Sequence, residues 1–343
     1  MHLLRTSFLL LLIWVSIPSV KVFGQKQAKA VCIAFYNLEN LYDTINDPTI
    51  NDEEFTPSGG NAWTYDKYQK KLDHMSTVIS LIGEDVLKGG PTIIGLSEIE
   101  NRGVLEDLIN TPALKASGYG IAHFDSPDRR GVDVALLYKK KDFTLVNAVA
   151  VPMKMPGQPE FKTRDQLVVT GLIDRDTFTI VVNHWPSRGN DVPYRLAAAA
   201  VTKSIVDSLY KVHHDARVLV MGDLNDDPID ESVAVILGAQ GKAAKVKAGG
   251  LFNPMWQLFK DGIGSLAYKD SWNLFDQIII SEPLIREKNN SWKLYKARVF
   301  NKPFMIQQEG QFAGYPFRTF AGGAYAGGYS DHFPTYVILV KEK

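Results

Sequence analysis

The chain has 343 residues, with 38 Lys plus Arg set against 38 Asp plus Glu and a sequence pI of about 7.1. So even a balance argues against a long basic groove for duplex nucleic acid and leaves room only for local patches. At 45% hydrophobic and 22% charged residues, the composition is that of a globular protein with a full core, either one large two-sheet domain or two smaller ones.

The first residues read as a secretory signal peptide. Arg5 precedes the apolar run Phe8–Ile17, and the small Gly24 follows at a plausible cut. The run is too short to span a bilayer comfortably, so no stable membrane insertion is expected. Residues 1–24 are therefore expected to be removed, leaving residues 25–343 as a single exported domain, periplasmic or extracellular, and monomeric. The cut takes away Arg5 and Lys21 and no acid, which leaves a charge of about −2. Cys32 is the only cysteine, so no internal disulfide supports the fold, and it reads as a packed strand residue.

"AVCIAFYNLEN" (30–40) opens apolar and ends polar, as a buried strand running into a loop. Residues 43–61 form a polar loop with Asp43, Asp47 and Asp52. A Ca²⁺ site is conceivable there, but the spacing matches no standard calcium loop and a solvated loop is expected. Tyr65 to Leu87 has helical spacing, with Leu72, Met75, Val78, Ile79 and Ile82 on one face. "TIIGLSEIEN" (92–101) is a second buried strand ending in acids, and residues 103–109 suggest a short helix. The middle is dense in strands: "YGIAHF", "VDVALLY", "TLVNAVAV", "QLVVTGLI" and "FTIVVNHW". Val192 to Leu209 reads as a helix with an Ala-rich face, followed by the apolar run "RVLVMGDLN". Residues 226–268 are irregular. "LFDQIII" and "WKLYKARVF" are strands, and a Gly-rich loop, "FAGGAYAGGYSDHFP", precedes the last strand, "TYVILV". Many strands with few helices between them fit two sheets packed face to face with helices outside.

Five apolar runs end in polar residues: Asn37, Glu98, Asn183 with His184, Asp223 with Asn225, and, after the Gly-rich loop, Asp331 with His332. A sixth run has Asp276 at its start. Singly, each has an ordinary explanation. An Asn or Asp after a strand is a turn residue, a His beside a Trp packs, and a Glu in "SEIEN" caps the next helix. Five or six repetitions are hard to obtain from turns alone, and strand ends are where a sheet scaffold presents chemistry. Glu98 and a nearby Asp are hard oxygen ligands suited to Mg²⁺ or Mn²⁺. One cysteine and no paired-His helix motif support the usual zinc sites poorly. No Gly-rich loop with Lys-Ser/Thr and no G-x-S-x-G is present. Metal, acids, histidines and amide donors together suit hydrolysis of a phosphate ester by activated water.

In order, "FYNLEN", "LSEIEN", "VVNHWPSR", "MGDLNDDP", "LFDQIII" and "GYSDHFP" resemble the motif set of the endonuclease/exonuclease/phosphatase superfamily, over residues 31 to 340 or so. The closer likeness is to exported bacterial members with "NHWPSR" and a following Arg-x-x-Ala-Ala, here Arg195 to Ala199. The resemblance implies a four-layer α/β sandwich of the deoxyribonuclease I type: two packed, mostly antiparallel β-sheets flanked by helices, with the site at one end. It implies a Mg²⁺ ion, with Mn²⁺ or Ca²⁺ as alternatives, held mainly by Glu98. Asn37 would stand beside it and Asp331 would be a ligand or support one. Asp223 and Asn225 would position and activate water. His184 would donate to the scissile phosphate, and His332, held by Asp276, would do the same or transfer a proton. Which histidine is acid and which is base stays open.

Arg188 is expected either to contact a second phosphate or to pair with an acid. Arg130 and Arg164 read first as solvated surface arginines and second as phosphate contacts. Asp133 reads as support for a strand or loop. Trp63, Tyr65, Trp256, Tyr325 and Tyr329 either stack on bases or close loop cores. The expected partner is a phosphate-ester substrate, with nucleic acid among the candidates. A phosphomonoesterase acting on nucleotides, sugar phosphates or lipid head groups is the alternative, and a silent binding module a third reading.

Overall fold

The structure, a computed structural model, describes residues 28–286 and 288–342. The leader read from residues 1–24 lies outside them. In chain order the strands are β1 (Ala28–Leu41), β2 (Ile93–Ile99), β3 (Tyr119–His123), β4 (Asp133–Lys139), β5 (Thr144–Val151), β6 (Gln166–Ile173), β7 (Asp176–His184) and β8 (Arg217–Asp223). Then follow the short β9 (Ala239–Gln240) and β10 (Leu251–Phe252), the hairpin of β11 (Leu266–Tyr268) and β12 (Ser271–Asn273), and β13 (Asp276–Ser281). The last are β14 (Trp292–Val299), the hairpin of β15 (Phe320–Ala321) and β16 (Ala324–Tyr325), and β17 (Thr335–Glu342). The α-helices are α1 (Tyr65–Leu81), α2 (Arg102–Asn110), α3 (Val192–Val212) and α4 (Met255–Lys260).

Two sheets form, one of six strands in the order β14-β17-β1-β2-β4-β3 and one of seven in the order β5-β6-β7-β8-β13-β10-β9. Most neighbours are antiparallel. Each sheet has a parallel pair near its middle, β1 with β2 and β7 with β8. A parallel pair needs a crossover, and the two longest helices supply these connections: α1 lies between β1 and β2, and α3 between β7 and β8. Both pairs therefore end at their C-terminal edges, where the polar residues of the sequence runs are found.

The apolar runs are continuous because the central strands are buried on both faces. Along β1, Val31, Ile33 and Phe35 point into the layer between the sheets, where they meet Phe178, Ile180, Val182, Leu219 and Met221. Cys32, Ala34 and Tyr36, one residue out of step, point outward to Leu72, Met75, Val78 and Ile79 of α1. On β8 the same alternation sends Val218 and Val220 to Ala198, Ala199 and Val206 of α3. The result is four layers: helices, sheet, sheet, helices. Gly95 marks a close approach of the two sheets, since a Cβ there would stand 2.7 Å from the sulfur of Met221.

Helix α1 stops at Leu81, six residues before the expected Leu87. Gly83 follows with φ of 77°, and a Cβ on it would lie 2.7 Å from Cys32 Sγ, so the chain must turn here against the sheet. Residues 226–268 contain more order than their composition suggests, including a π-turn at Ser232–Ile236 and helix α4. Acids of the loop at 43–54 fold back on it: Asp43 accepts from the Ile45 N–H, Asp47 from Thr49 and the buried Asp52 from the Asp47 N–H. Among the described residues no helix is long and apolar enough to cross a membrane.

Candidate active site

Strand register assembles half of the site. Parallel pairing sets His184 on β7 beside Asp223 on β8, and antiparallel pairing sets Asp223 opposite Asp276 on β13. Three chemical groups thus occupy one row of the seven-stranded sheet. The six-stranded sheet delivers its residues differently. The β1–β2 ladder shifts register after Asn37, and the β2–β4 ladder shifts between Ser97 and Ile99. Glu98 sits in that break with φ of 59°, and Glu39 and Asn40 are also left-handed at 51° and 57°. Non-glycine residues rarely take this conformation, and a bulge re-aims the side chain that occupies it.

The two halves meet around Asp223, which is buried. Its Oδ2 accepts from Asn37 Nδ2 at 3.1 Å, across the gap between the sheets. Its Oδ1 accepts from the backbone N–H of Asn225 at 3.0 Å, while Asn225 Nδ2 donates to the Trp185 carbonyl. His184 Nε2 stands 3.7 Å from Asp223 Oδ2 and 3.8 Å from Glu98 Oε1. His332 Nε2 stands 3.9 Å from Asp223 Oδ2 and 3.9 Å from Asp331 Oδ1. These spacings are too long for hydrogen bonds and close enough for one phosphate oxygen or ion to touch two of the groups.

The two histidines are in opposite states. His332 Nδ1 bonds Asp276 Oδ2 at 2.7 Å. Burial opposes its charge, but Asp276, Asp331 and Asp223 outweigh burial and hold the imidazolium well above its usual range. His184 is held well below that range by burial first, then by Arg164, Arg130 and His332, so it is neutral. Its Nδ1 has no hydrogen-bond partner among the described residues, so the N–H is placed on Nε2, the atom facing the two carboxylates. Burial, with Asp276 and Glu98 adding to it, lifts the Asp223 carboxyl to about 7 against the pull of His332.

A divalent cation fits the donor set. Among the described residues Glu98 Oε2 accepts only the Asn40 N–H, at 3.1 Å, and Oε1 faces His184 and Arg130 at 3.8 and 3.9 Å. Hard carboxylate and amide oxygens around a buried, under-neutralised acid are what Mg²⁺ or Mn²⁺ takes. Asp223, Asp276 and His332 also converge closely enough to bind an ion. However, the Nδ1 of His332 is occupied by Asp276, so we read Asp276 and His332 as a hydrogen-bonded pair that faces Asp223 across 3.9 Å.

Other expected residues fall in different surroundings. Arg188 pairs with Asp227 and Asp230 at 3.1 and 2.8 Å, donates to the Asn225 carbonyl and lies over the Phe275 ring. Of its two readings it takes acid pairing. Asp331 is held by Arg318 at 2.6 Å. Arg164 is not a solvated surface arginine. It is buried, pairs with Asp128 at 3.0 Å and donates to the carbonyls of His184 and Trp185, fixing the end of β7. Asp133 accepts from His123 Nε2 and the Ser126 N–H, as support for that loop. Trp63 is fully buried among Phe55, Phe320 and Tyr325, closing a loop core. Tyr65 is exposed.

The family model described as "Endonuclease/Exonuclease/phosphatase family" matches residues 32–341. The chain belongs to the endonuclease/exonuclease/phosphatase family. Its fold is shared by solved structures of low identity. A humanized D. rerio TDP2 is 12% identical with a TM-score of 0.55, over 90% of this chain and 98% of that one. A family protein from Bacteroides thetaiotaomicron is 15% identical with a TM-score of 0.55, over 92% and 99%. The human Nocturnin catalytic domain, solved with a bound sulfate anion, is 15% identical with a TM-score of 0.55, over 93% and 98%. No curated protein matches the chain. The four-layer arrangement here is thus the deoxyribonuclease I-like sandwich of this family.

Several residues that hold the site were given no role by the sequence, although Ser330 and Glu39 lie within the quoted motifs. Ser330 Oγ donates to the Asn37 carbonyl and accepts from the His332 N–H, which joins β1 to the last loop. Lys71 is buried, donates to Thr319 Oγ1 and the Tyr329 carbonyl and faces Glu39 at 3.8 Å, while Glu39 accepts from the Thr319 N–H at 2.6 Å. A signal for Lys71 was present: it is a cation on the apolar stripe that runs through Tyr68, Leu72 and Met75.

Proposed function

We propose that the protein is a divalent-metal-dependent phosphodiesterase that cleaves by attack of water, with nucleic acid among its substrates. The observation that carries this is the pair of histidines standing 3.7 and 3.9 Å from Asp223, with Glu98 3.8 Å from His184; burial and nearby cations push His184 down while Asp276, Asp331 and Asp223 push His332 up. Phosphoryl transfer asks for positioning and neutralisation of charge more than for covalent help. Glu98, joined by Asn37 and Asp331, would hold Mg²⁺ or Mn²⁺. Such an ion supplies Lewis-acid neutralisation of phosphoryl oxygen charge. Asp223 orients water and takes its proton, a task suited to a carboxyl raised toward neutrality. Asn225 holds the Asp223 carboxylate through its backbone N–H. His184 donates from Nε2 to a non-bridging oxygen. The His332 imidazolium, fixed by Asp276, balances the charge that develops on the other side. A TDP2 structure with a single-strand DNA product has this fold, which supports a nucleic-acid substrate.

The test is a hydrolysis panel of plasmid DNA, RNA, bis-p-nitrophenyl phosphate and p-nitrophenyl phosphate, each with Mg²⁺, Mn²⁺, Ca²⁺ or EDTA. Diester cleavage that EDTA abolishes and that His184→Ala lowers by about 10²–10³-fold is expected. Turnover of the monoester alone would replace this reading with a phosphomonoesterase.

A further inference from the structure

Beside Glu98 lies a cavity of about 280 Å³ lined by Glu98, Arg129, Arg130, Lys162, Thr163 and Ser187, among others. Its acids are already answered. Asp128 is bonded by Arg164 at 3.0 Å, and Arg130 reaches both Asp128 and Glu98 at 3.8 and 3.9 Å. Arg129 and Lys162 make no ion pair among the described residues, so the pocket carries uncompensated positive charge. Thr163 is buried, and its hydroxyl has no hydrogen-bond partner among the described residues. A buried hydroxyl is ordinarily satisfied.

The cations are set on a firm backbone. Arg129 and Arg130 occupy the middle of a turn closed by the Gly131 N–H on the Asp128 carbonyl, and Gly131 takes φ of 68°. The Arg129 carbonyl accepts from the Asn51 N–H and the Arg130 carbonyl from the Tyr42 hydroxyl. Arg188 differs in every respect: three carboxylates surround it. One reading of the sequence assigned Arg188 the contact with a second phosphate, but its guanidinium is engaged by these acids.

We infer that this pocket receives a second phosphate of the same substrate, next to the one being cleaved. The inference rests on the phosphodiesterase reading, because Glu98 is shared by the pocket and the catalytic centre. The preferred substrate therefore carries at least two phosphates, whether successive phosphates of a nucleic-acid backbone or the two of a diphosphate. Charge-assisted bonds to a phosphate are worth enough to give a preference of roughly tenfold or more.

The experiment is equilibrium binding, in Mg²⁺, of a thymidine dinucleotide whose linkage is an uncleavable methylphosphonate. The probe carries no terminal phosphate, a 5′-phosphate or a 3′-phosphate. One phosphorylated form should bind about tenfold tighter than the bare probe, and this ratio should shrink in Lys162→Ala and in Arg129→Ala, both of which alter exposed side chains. Displacement of the probe by inorganic pyrophosphate, weaker with Lys162→Ala, would support the pocket and assign it to a diphosphate. Equal binding of all three probes, or a ratio unchanged in both variants, would overturn the inference. The probe is not cleaved, so these ratios are separate from a failure of the phosphodiesterase reading, which would show as no turnover of the natural diester.

Discussion

In the seven-stranded sheet, His184, Asp223 and Asp276 occupy one row across regular ladders, whereas in the six-stranded sheet Glu98 stands where the ladder breaks. The first group follows from strand pairing that the core would enforce anyway. The second needs left-handed backbone at Glu39, Asn40 and Glu98, a conformation that costs of order 1–3 kcal/mol at each such residue. The row on the seven-stranded sheet is thus a by-product of the fold, and most of the other half is held against local preference. Three of the four left-handed non-glycine residues of the site stand on the side where the metal is proposed to bind, and the fourth, Asn225 with φ of 51°, follows β8.

That contrast gives four predictions. The largest effect is on chemistry: Asp223→Asn should lower kcat by roughly 10²–10⁴-fold with little change in fold, read by steady-state kinetics and circular dichroism. His184→Ala should lose about 10²–10³-fold by the same measurement, as the loss of a single donor to the phosphate. Third, Asp276→Asn should move the alkaline limb of the pH–rate profile to lower pH. Asp276 is the strongest of the groups that raise His332, so without it the imidazolium loses its proton sooner. The sign for stability is the same. A raised histidine stabilises fully below its unfolded value of about 6.5, and this contribution is lost as pH rises through the folded value. The Tm difference between wild type and Asp276→Asn should therefore be greatest in mild acid and shrink in alkali. The smallest effect separates the two sheets. Glu98→Gly relieves the left-handed strain and should raise metal-free stability by about 1 kcal/mol while abolishing activity. A fall in stability would mean that the six-stranded half is not strained in this way.

The same contrast explains what could be read from the amino acids. Runs such as "VVNHW" and "MGDLN" announce a buried strand and its polar end together, so His184 and Asp223 are visible in one dimension. Glu98 is visible only as a polar residue in an apolar run, because nothing in "LSEIEN" specifies a bulge. Arg164 was misread because a lone arginine between polar neighbours has the pattern of a surface residue. It is the carbonyls of His184 and Trp185, about twenty residues away in sequence, that bring it inside. Helix α1 ran short because the stop comes from Gly83 meeting Cys32 in space, a contact that helical periodicity does not contain.

Lys71 ties helix α1 to the segment at Thr319 and Tyr329. A segment fastened by a buried cation at one end of the site works as a bolted panel, not a hinged one. Its Thr319 amide, bonded to Glu39, should exchange with solvent at the pace of the sheets, not of a surface loop. A rim set before the substrate arrives selects by fit, and little of the binding energy is then consumed in ordering the protein.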